Sequence, residues 1–221
     1  MSQAIKIDIW SDIACPWCYL GKHRLEAALD RFAEDGGGNA VEVEYHSYQL
    51  DPGLPQDYPG THDEYLAGHH GLDPDKVADS NRRLQALGRQ YGLDYNFADN
   101  LITNTFKAHE LLHFAKAQGR QEEVKERLLR ACFTEGRHVG RIDTLAGIAQ
   151  EAGLDGEAAR RALEAGEYAA AVEADKVSGL RIGVRGVPFF VIGGKYALSG
   201  AQEPETFLKV LEKVASERNG Q

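Results

Sequence analysis

Residues 5–10, Ile-Lys-Ile-Asp-Ile-Trp, alternate strictly, with Ile5, Ile7 and Ile9 on one face and Lys6, Asp8 and Trp10 on the other. Period two predicts a strand with one face against a core. A short loop, residues 11–15, leads to Pro16, which opens a run carrying Leu20, Leu25, Ala28, Leu29 and Phe32 at helical spacing. Proline suits the first helical turn, where an N–H has no intrahelical partner to lose. That helix should end before Gly36, Gly37 and Gly38, and the stretch from Val41 to Tyr48 alternates again. A strand, a helix and a strand in this order favour a parallel pair joined by a crossover.

The pattern then changes. Residues 51–60 hold three prolines and two glycines and read as a loop. Residues 61–180 show repeated 3.6-residue periodicity and no convincing strand. Stripes run through Val77, Leu84, Leu87 and Tyr91, through Phe106, Leu112 and Ala115, and through Val124, Leu128 and Cys132. Asp143 is the expected N-cap of a helix through Leu145, Ile148 and Ala149, and alanine-rich helices are expected over 155–165 and 168–180. Residues 187–194 and 195–200 then read as a hairpin about a Gly-Gly turn, and Pro204 starts a last helix with Phe207, Val210, Leu211 and Val214 inward. Neither end has enough strands to stand alone. The expectation is therefore one discontinuous α/β domain, residues 1–60 and 181–221, interrupted by an all-helical insertion, residues 61–180.

Charge narrows the range of functions. The 25 basic residues are outnumbered by 34 acidic ones, for a formal charge of -9. An acidic chain is a poor match for nucleic acid or an anionic membrane surface, both of which need a basic face. No segment approaches the run of about 18 apolar residues that spans a bilayer. The N-terminal residues lack the basic head and apolar core of a secretory signal, so a cytoplasmic location is expected. Three cysteines are too few for a disulfide scaffold and point to redox, catalytic or metal chemistry.

Cys15-Pro16-Trp17-Cys18 carries the sharpest chemistry. The pair follows a strand and opens a helix, the setting of a thioredoxin-like redox site. Unpaired N–H groups at a helix start favour a thiolate at Cys15, and the thiolate is the species that attacks disulfides. Cys18 lies one helical turn on, within reach of the Cys15 sulfur. Any amide donors to that sulfur should be those of Trp17 and Cys18, because Pro16 has none. A structural zinc half-site is the competing reading, but it needs two more ligands at suitable spacing, and there is no second C-x-x-C. Gly186-Val187-Pro188-Phe189-Phe190 is the second feature: a proline at the mouth of an apolar strand, where its missing donor does least harm.

Taken with residues 104–115, 127–140 and 183–202, these motifs make the chain resemble the DsbA-like thioredoxin-fold family, with its FrnE-type branch the nearest match in pattern. The resemblance implies an α/β thioredoxin fold with a helical insertion and a thiol-disulfide oxidoreductase activity. It implies that Cys15 is the nucleophile and Cys18 the resolving thiol. It also implies a cis Pro188 facing the pair, with the Val187 backbone, Pro16 and Trp17 contacting substrate. Asp8 is a candidate proton acceptor for Cys18, although a solvated or capping role for it and for Asp12 is the simpler reading. The implied partners are protein or small-molecule thiols and disulfides, handled by a monomer or homodimer. No resident cofactor or metal is expected, with glutathione a candidate redox partner. A glutathione-dependent transferase or isomerase of the kappa-class type is the alternative on the same fold, and a non-enzymatic peptide-binding module is a third.

His109-Glu110-Leu111-Leu112-His113 fits the H-E-x-x-H pattern of zinc hydrolases, yet no third ligand is evident, and an ordinary helix bearing two histidines is the expectation. Cys132, on an apolar stripe, is expected in the core. His62, His69 and His70 are expected in a polar loop. Phe106 and Trp17 are candidate rim residues of the active-site groove.

Overall fold

The computed structural model describes residues 4–34 and 40–219. The elements are β1 (Ile5–Ser11), α1 (Pro16–Glu34), β2 (Val41–Ser47), α2 (His62–His70), α3 (Pro74–Arg89), α4 (Phe106–Lys116), α5 (Gln121–Phe133), α6 (Ile142–Glu151), α7 (Gly156–Ala165), α8 (Ala169–Arg181), β3 (Phe189–Ile192), β4 (Tyr196–Ser199) and α9 (Pro204–Asn219). The strands form one sheet in the order β2-β1-β3-β4. β1 pairs in parallel with β2 and antiparallel with β3, so both ends of the chain build the same sheet. The architecture is the thioredoxin fold of the DsbA type, with helices inserted between β2 and β3.

Alternation in β1 drives Ile5, Ile7 and Ile9 into a core in which essentially none of their surface stays wet. Leu25, Ala28 and Phe32 of α1 and Phe207, Leu211 and Val214 of α9 close over them. Phe190 meets Phe207 edge to face at 4.8 Å. A second core joins the helices and includes Leu111, Leu128, Phe133, Leu145 and Leu163. Helix α1 serves both, because its first turns send Tyr19 and Leu20 into the helical core while its later turns face the sheet. The dithiol at the start of α1 is thus placed where the two cores meet.

The other sheet face is covered as well. Trp10 stacks on His46 at 4.5 Å and donates from Nε1 to the Asp175 carbonyl of α8. Gly179 permits that approach, since a Cβ there would lie 2.7 Å from the indole. The Gln121 side chain both accepts from and donates to the Tyr45 backbone on edge strand β2, replacing pairs a neighbouring strand would have made.

The β3–β4 turn has positive φ at both Gly193 and Gly194, as a type I′ turn requires. Two local expectations are corrected. α6 begins at Ile142 with Arg141 as N-cap, so Asp143 lies in the first turn and binds Arg160 instead. His62–His70 is a helix rather than a loop, begun by a capping box between Thr61 and Glu64. Gly36, Gly37 and Gly38 fall outside the described residues.

Candidate active site

Cys15 immediately precedes α1 and Cys18 occupies its first turn, with the Cys18 amide donating to the Cys15 carbonyl at 2.9 Å. Both are free thiols and nearly buried, Cys15 at 5% and Cys18 at 2% exposure. Across from them the Val187–Pro188 bond is cis, and the Cys15 Sγ lies 3.5 Å from the Val187 carbonyl oxygen. The proline loop rests on α1 at Gly21, where a Cβ would come within 3.0 Å of Pro188 Cγ. Arg24 fastens the neighbouring β4–α9 connection by donating to the Ala201 carbonyl at 2.7 Å and pairing with Glu203. Tyr95, from the helical insertion, donates to the Pro16 carbonyl at 2.7 Å and fixes the residue between the cysteines.

Beneath the pair lie charges that apolar periodicity gives no hint of. Asp12 is 1% exposed, and its carboxylate accepts from the Leu50 amide, the Thr105 hydroxyl, the Ala14 amide and His109 Nε2. Burial opposes its ionisation, but His109 and these donors hold it below the usual carboxylate range. Burial keeps His109 below the ordinary histidine range, so a neutral ring donates from Nε2 and leaves Nδ1 without a partner. Lys125 of α5 is fully buried, and its Nζ makes no hydrogen bond. Its Nζ lies 5.6 Å from the Tyr45 ring centroid; burial holds the amine below the ordinary lysine range, and Cys18, Asp12 and Cys15 oppose that by favouring its charged form.

These neighbours set the state of the dithiol. The hydrogen bond with Cys18, then burial, pushes Cys15 well above the ordinary thiol range. Cys18 is drawn below it: burial is outweighed by the Cys15 thiol, the Lys125 ammonium, the Ser11 hydroxyl and the Asp12 backbone. The pair thus shares one proton, the first leaving readily and the second held tightly. After the Cys15 hydrogen bond, the next largest influence lowering Cys18 is Lys125, a side chain delivered by a helix more than 100 positions along the chain.

Cys15, not Cys18, opens onto a cavity of about 380 Å³. Pro16, Trp17 and Val187 form its near wall, and α3, the loop before α4, and Cys132 form its far wall. A larger hollow of about 780 Å³ between Lys22, Glu44, Lys116 and Glu126 touches no dithiol residue.

Asp8 is corrected as a proton acceptor. Its carboxylate pairs with Lys6 at 3.0 Å and His46 at 2.8 Å on the α8 side of the sheet, in a cluster separate from the cysteines. Asp8, Glu44 and His46 are close enough to converge on a cation, but Lys6 already bridges the two carboxylates, and Asp175 holds the second ring nitrogen of His46. The two histidines of the H-E-x-x-H stretch diverge in function: His109 bonds Asp12, while His113 bonds Ser47 and Asp175. Glu110 pairs with Lys107 at 2.7 Å. Cys132 is buried, its thiol pushed up to about 12 by burial, with Asn100 donating to its sulfur. Trp17 lines the cavity, whereas Phe106 is not among its lining residues.

Asp12, His109 and Lys125 were thus missed as site residues. Lys125 had a signal: it shares the i, i+4, i+7 stripe of Leu129 and Cys132, where a lysine must be buried.

Residues 6–212 match the DSBA-like thioredoxin domain. YwbO, an uncharacterized protein of Bacillus subtilis strain 168, is 30% identical over 95% of this chain and 96% of its own length. A Streptomyces coelicolor protein described as a probable DsbA oxidoreductase is 38% identical, with a TM-score of 0.88 over 96% of this chain and 91% of its own. The cytosolic disulfide reductase DsbM of Pseudomonas aeruginosa shares the fold at a TM-score of 0.61 and 23% identity, covering 94% and 97% of the two chains. The chain belongs to the DSBA-like thioredoxin-domain family.

Proposed function

We propose that this protein is a thiol-disulfide oxidoreductase in which Cys15 is the attacking sulfur and Cys18 resolves the mixed disulfide. One observation carries the reading: Cys15 lines a cavity with its Sγ 3.5 Å from the Val187 carbonyl at the cis-proline, and Cys18 is buried one turn behind it. With the one proton of the pair on Cys18, Cys15 is the thiolate nucleophile. The Cys15 thiolate attacks one sulfur of a disulfide RSSR, forming Cys15–S–S–R and expelling RS⁻. Cys18, having returned its proton to the departing thiolate, then attacks the Cys15 sulfur and expels the second RS⁻, which is protonated from solvent. Two electrons leave the dithiol and two RSH are formed. The reverse sequence oxidises a substrate dithiol. During either, the Cys18 amide supports the Cys15 sulfur, and the Val187 backbone is the nearest group for positioning the incoming chain.

Lys125 supports this reading because it stabilises a thiolate that exists only in the reduced protein, which favours the reduced form and makes the disulfide a better oxidant. The intact pair weighs against a glutathione-dependent transferase or isomerase, as does a cavity without a lysine or arginine among its described lining residues to take glutathione's carboxylates. A chain with three cysteines, two of them the exchange pair, has no second pair for a structural disulfide, which suits work in the reducing cytoplasm.

The test is rapid-mixing oxidation of the reduced protein by bis(2-hydroxyethyl) disulfide. The wild type should consume one disulfide and release two equivalents of thiol, and Cys15→Ser should release none. Thiol release by Cys15→Ser at the wild-type rate would refute the assignment.

A further inference from the structure

The cavity at Cys15 is lined mainly by apolar residues, with Tyr65, Asn81, Asn100 and Thr103 among the polar ones. Leu54, Leu84, Ile102 and Val139 line it, and Leu50, Leu72 and Leu101 are each close to half exposed at its lining. Leaving three leucines this wet is unfavourable unless something covers them, at roughly 25 cal/mol per Å² of apolar surface. The charged lining residues point one way. Asp12 and Asp51 are carboxylates, His62 is the one basic side chain, and no lysine or arginine lines the cavity among the described residues. His62 is already turned to Asp63 at 3.1 Å. Anions are therefore disfavoured twice, by the apolar wall and by the sign of its charges. Access is also narrow: the Cys15 thiol is only 5% exposed, and its sulfur is covered on one side by the Val187 carbonyl.

Resting on the thiol-exchange reading above, we propose that the substrate is a low-molecular-weight, uncharged, apolar-bodied disulfide or dithiol, whose carbon body fills the cavity while its sulfur meets Cys15. A volume of about 380 Å³ is near the lower end of small-ligand pockets and holds a body the size of a short acyl chain. Glutathione would bring carboxylates to a wall of leucines and aspartates. A protein disulfide would have to reach a Cys15 that is only 5% exposed. With a cyclic disulfide such as lipoamide, the Cys15 thiolate attacks one ring sulfur and opens the ring. Cys18 then attacks the Cys15 sulfur and displaces the ligand's sulfur; the product dithiol leaves with one proton from the enzyme pair and one from solvent, while the enzyme keeps the Cys15–Cys18 disulfide. Two electrons have passed from enzyme to ligand.

The experiment is single-turnover oxidation of the reduced full-length chain by lipoamide, oxidised glutathione and insulin, at one pH and ionic strength. Each rate is divided by that of dithiothreitol with the same disulfide, which removes intrinsic reactivity, ring strain included. The lipoamide ratio is expected to exceed both others by about tenfold or more, equivalent to about 1.4 kcal/mol, and to saturate with concentration. Leu101→Arg, a change at an exposed position, is expected to raise the glutathione ratio and lower the lipoamide ratio. Equal ratios for lipoamide and glutathione would overturn the proposal in favour of an anion-tolerant site, and an equal or higher insulin ratio would overturn it in favour of an open peptide groove. A glutathione ratio unmoved by Leu101→Arg would overturn the charge selection. If none of the three oxidised the dithiol and dihydrolipoamide did not reduce the Cys15–Cys18 disulfide, the exchange reading itself would fall and the substrate class with it, an outcome distinct from the others.

Discussion

The Cys15 sulfur and the Val187 carbonyl oxygen are 3.5 Å apart although 172 positions separate them in sequence. That distance is set by packing of the cis-proline loop on α1, where Gly21 leaves no Cβ between helix and proline. Gly21→Ala would place a methyl 3.0 Å from Pro188 Cγ and 3.4 Å from both Ala201 Cβ and Phe190 Cζ. The loop must move outward. The expected result is a destabilisation of about 1–3 kcal/mol in urea unfolding and a fall in thiol-exchange rate larger than any change in folded fraction. Unchanged exchange would show that loop position does not matter to the reaction.

Lys125→Met removes the amine beside the dithiol while preserving the length of the side chain. The first thiol ionisation, followed by alkylation rate against pH, is expected to rise by about one unit, or about 1.4 kcal/mol. The reduction potential should fall by roughly 30 mV for that same energy, because the reduced form has lost its stabilisation. Stability of the oxidised protein should hold or increase, since an ammonium without a hydrogen bond is no longer buried.

His46 gives the fold a pH dependence of definite sign. Burial lowers its pKa, but Asp175 and Asp8 outweigh burial and raise it from 6.5 to about 9. A group whose folded pKa is raised contributes stability that is complete below its unfolded pKa of about 6.5 and lost as pH climbs through about 9. Denaturant midpoints should fall over that window by an amount on the order of 2 kcal/mol, discounted for the partial exposure of the cluster. His46→Gln should flatten the profile between these limits.

The H-E-x-x-H stretch should bind no catalytic zinc, because its histidines are committed to Asp12 on one side and to Ser47 and Asp175 on the other. Metal analysis of purified protein should find far less than one zinc per chain, and chelator treatment should leave disulfide exchange intact. Stoichiometric zinc, with activity lost on its removal, would reverse the assignment.

Much of the fold was legible because the relevant signals are local. Ile5, Ile7 and Ile9 alternate, Pro16 opens a helix, and Gly193-Gly194 turns a hairpin, each a matter of a few adjacent residues. The cysteine pair and Pro188 stood out for the same reason. What stayed hidden was polar and nonlocal. Asp12 and Lys125 have the residue types of a solvated surface, and only the closing of α4 and α5 over the dithiol buries them. Asp8 misled in the opposite way: alternation correctly put it opposite the isoleucines, but that face meets α8 and His46 rather than the cysteines. His62 was hidden by its polar neighbours, although the Thr61–Glu64 spacing is a helix-start signature.

The most direct measurement is peptide-level mass spectrometry of Cys18→Ala after exposure to bis(2-hydroxyethyl) disulfide. A single mercaptoethanol adduct should accumulate on Cys15, with Cys132 unmodified and no internal disulfide formed. An adduct on Cys132 with Cys15 still reduced, or no adduct on either, would contradict the assignment of Cys15 as the sulfur that attacks.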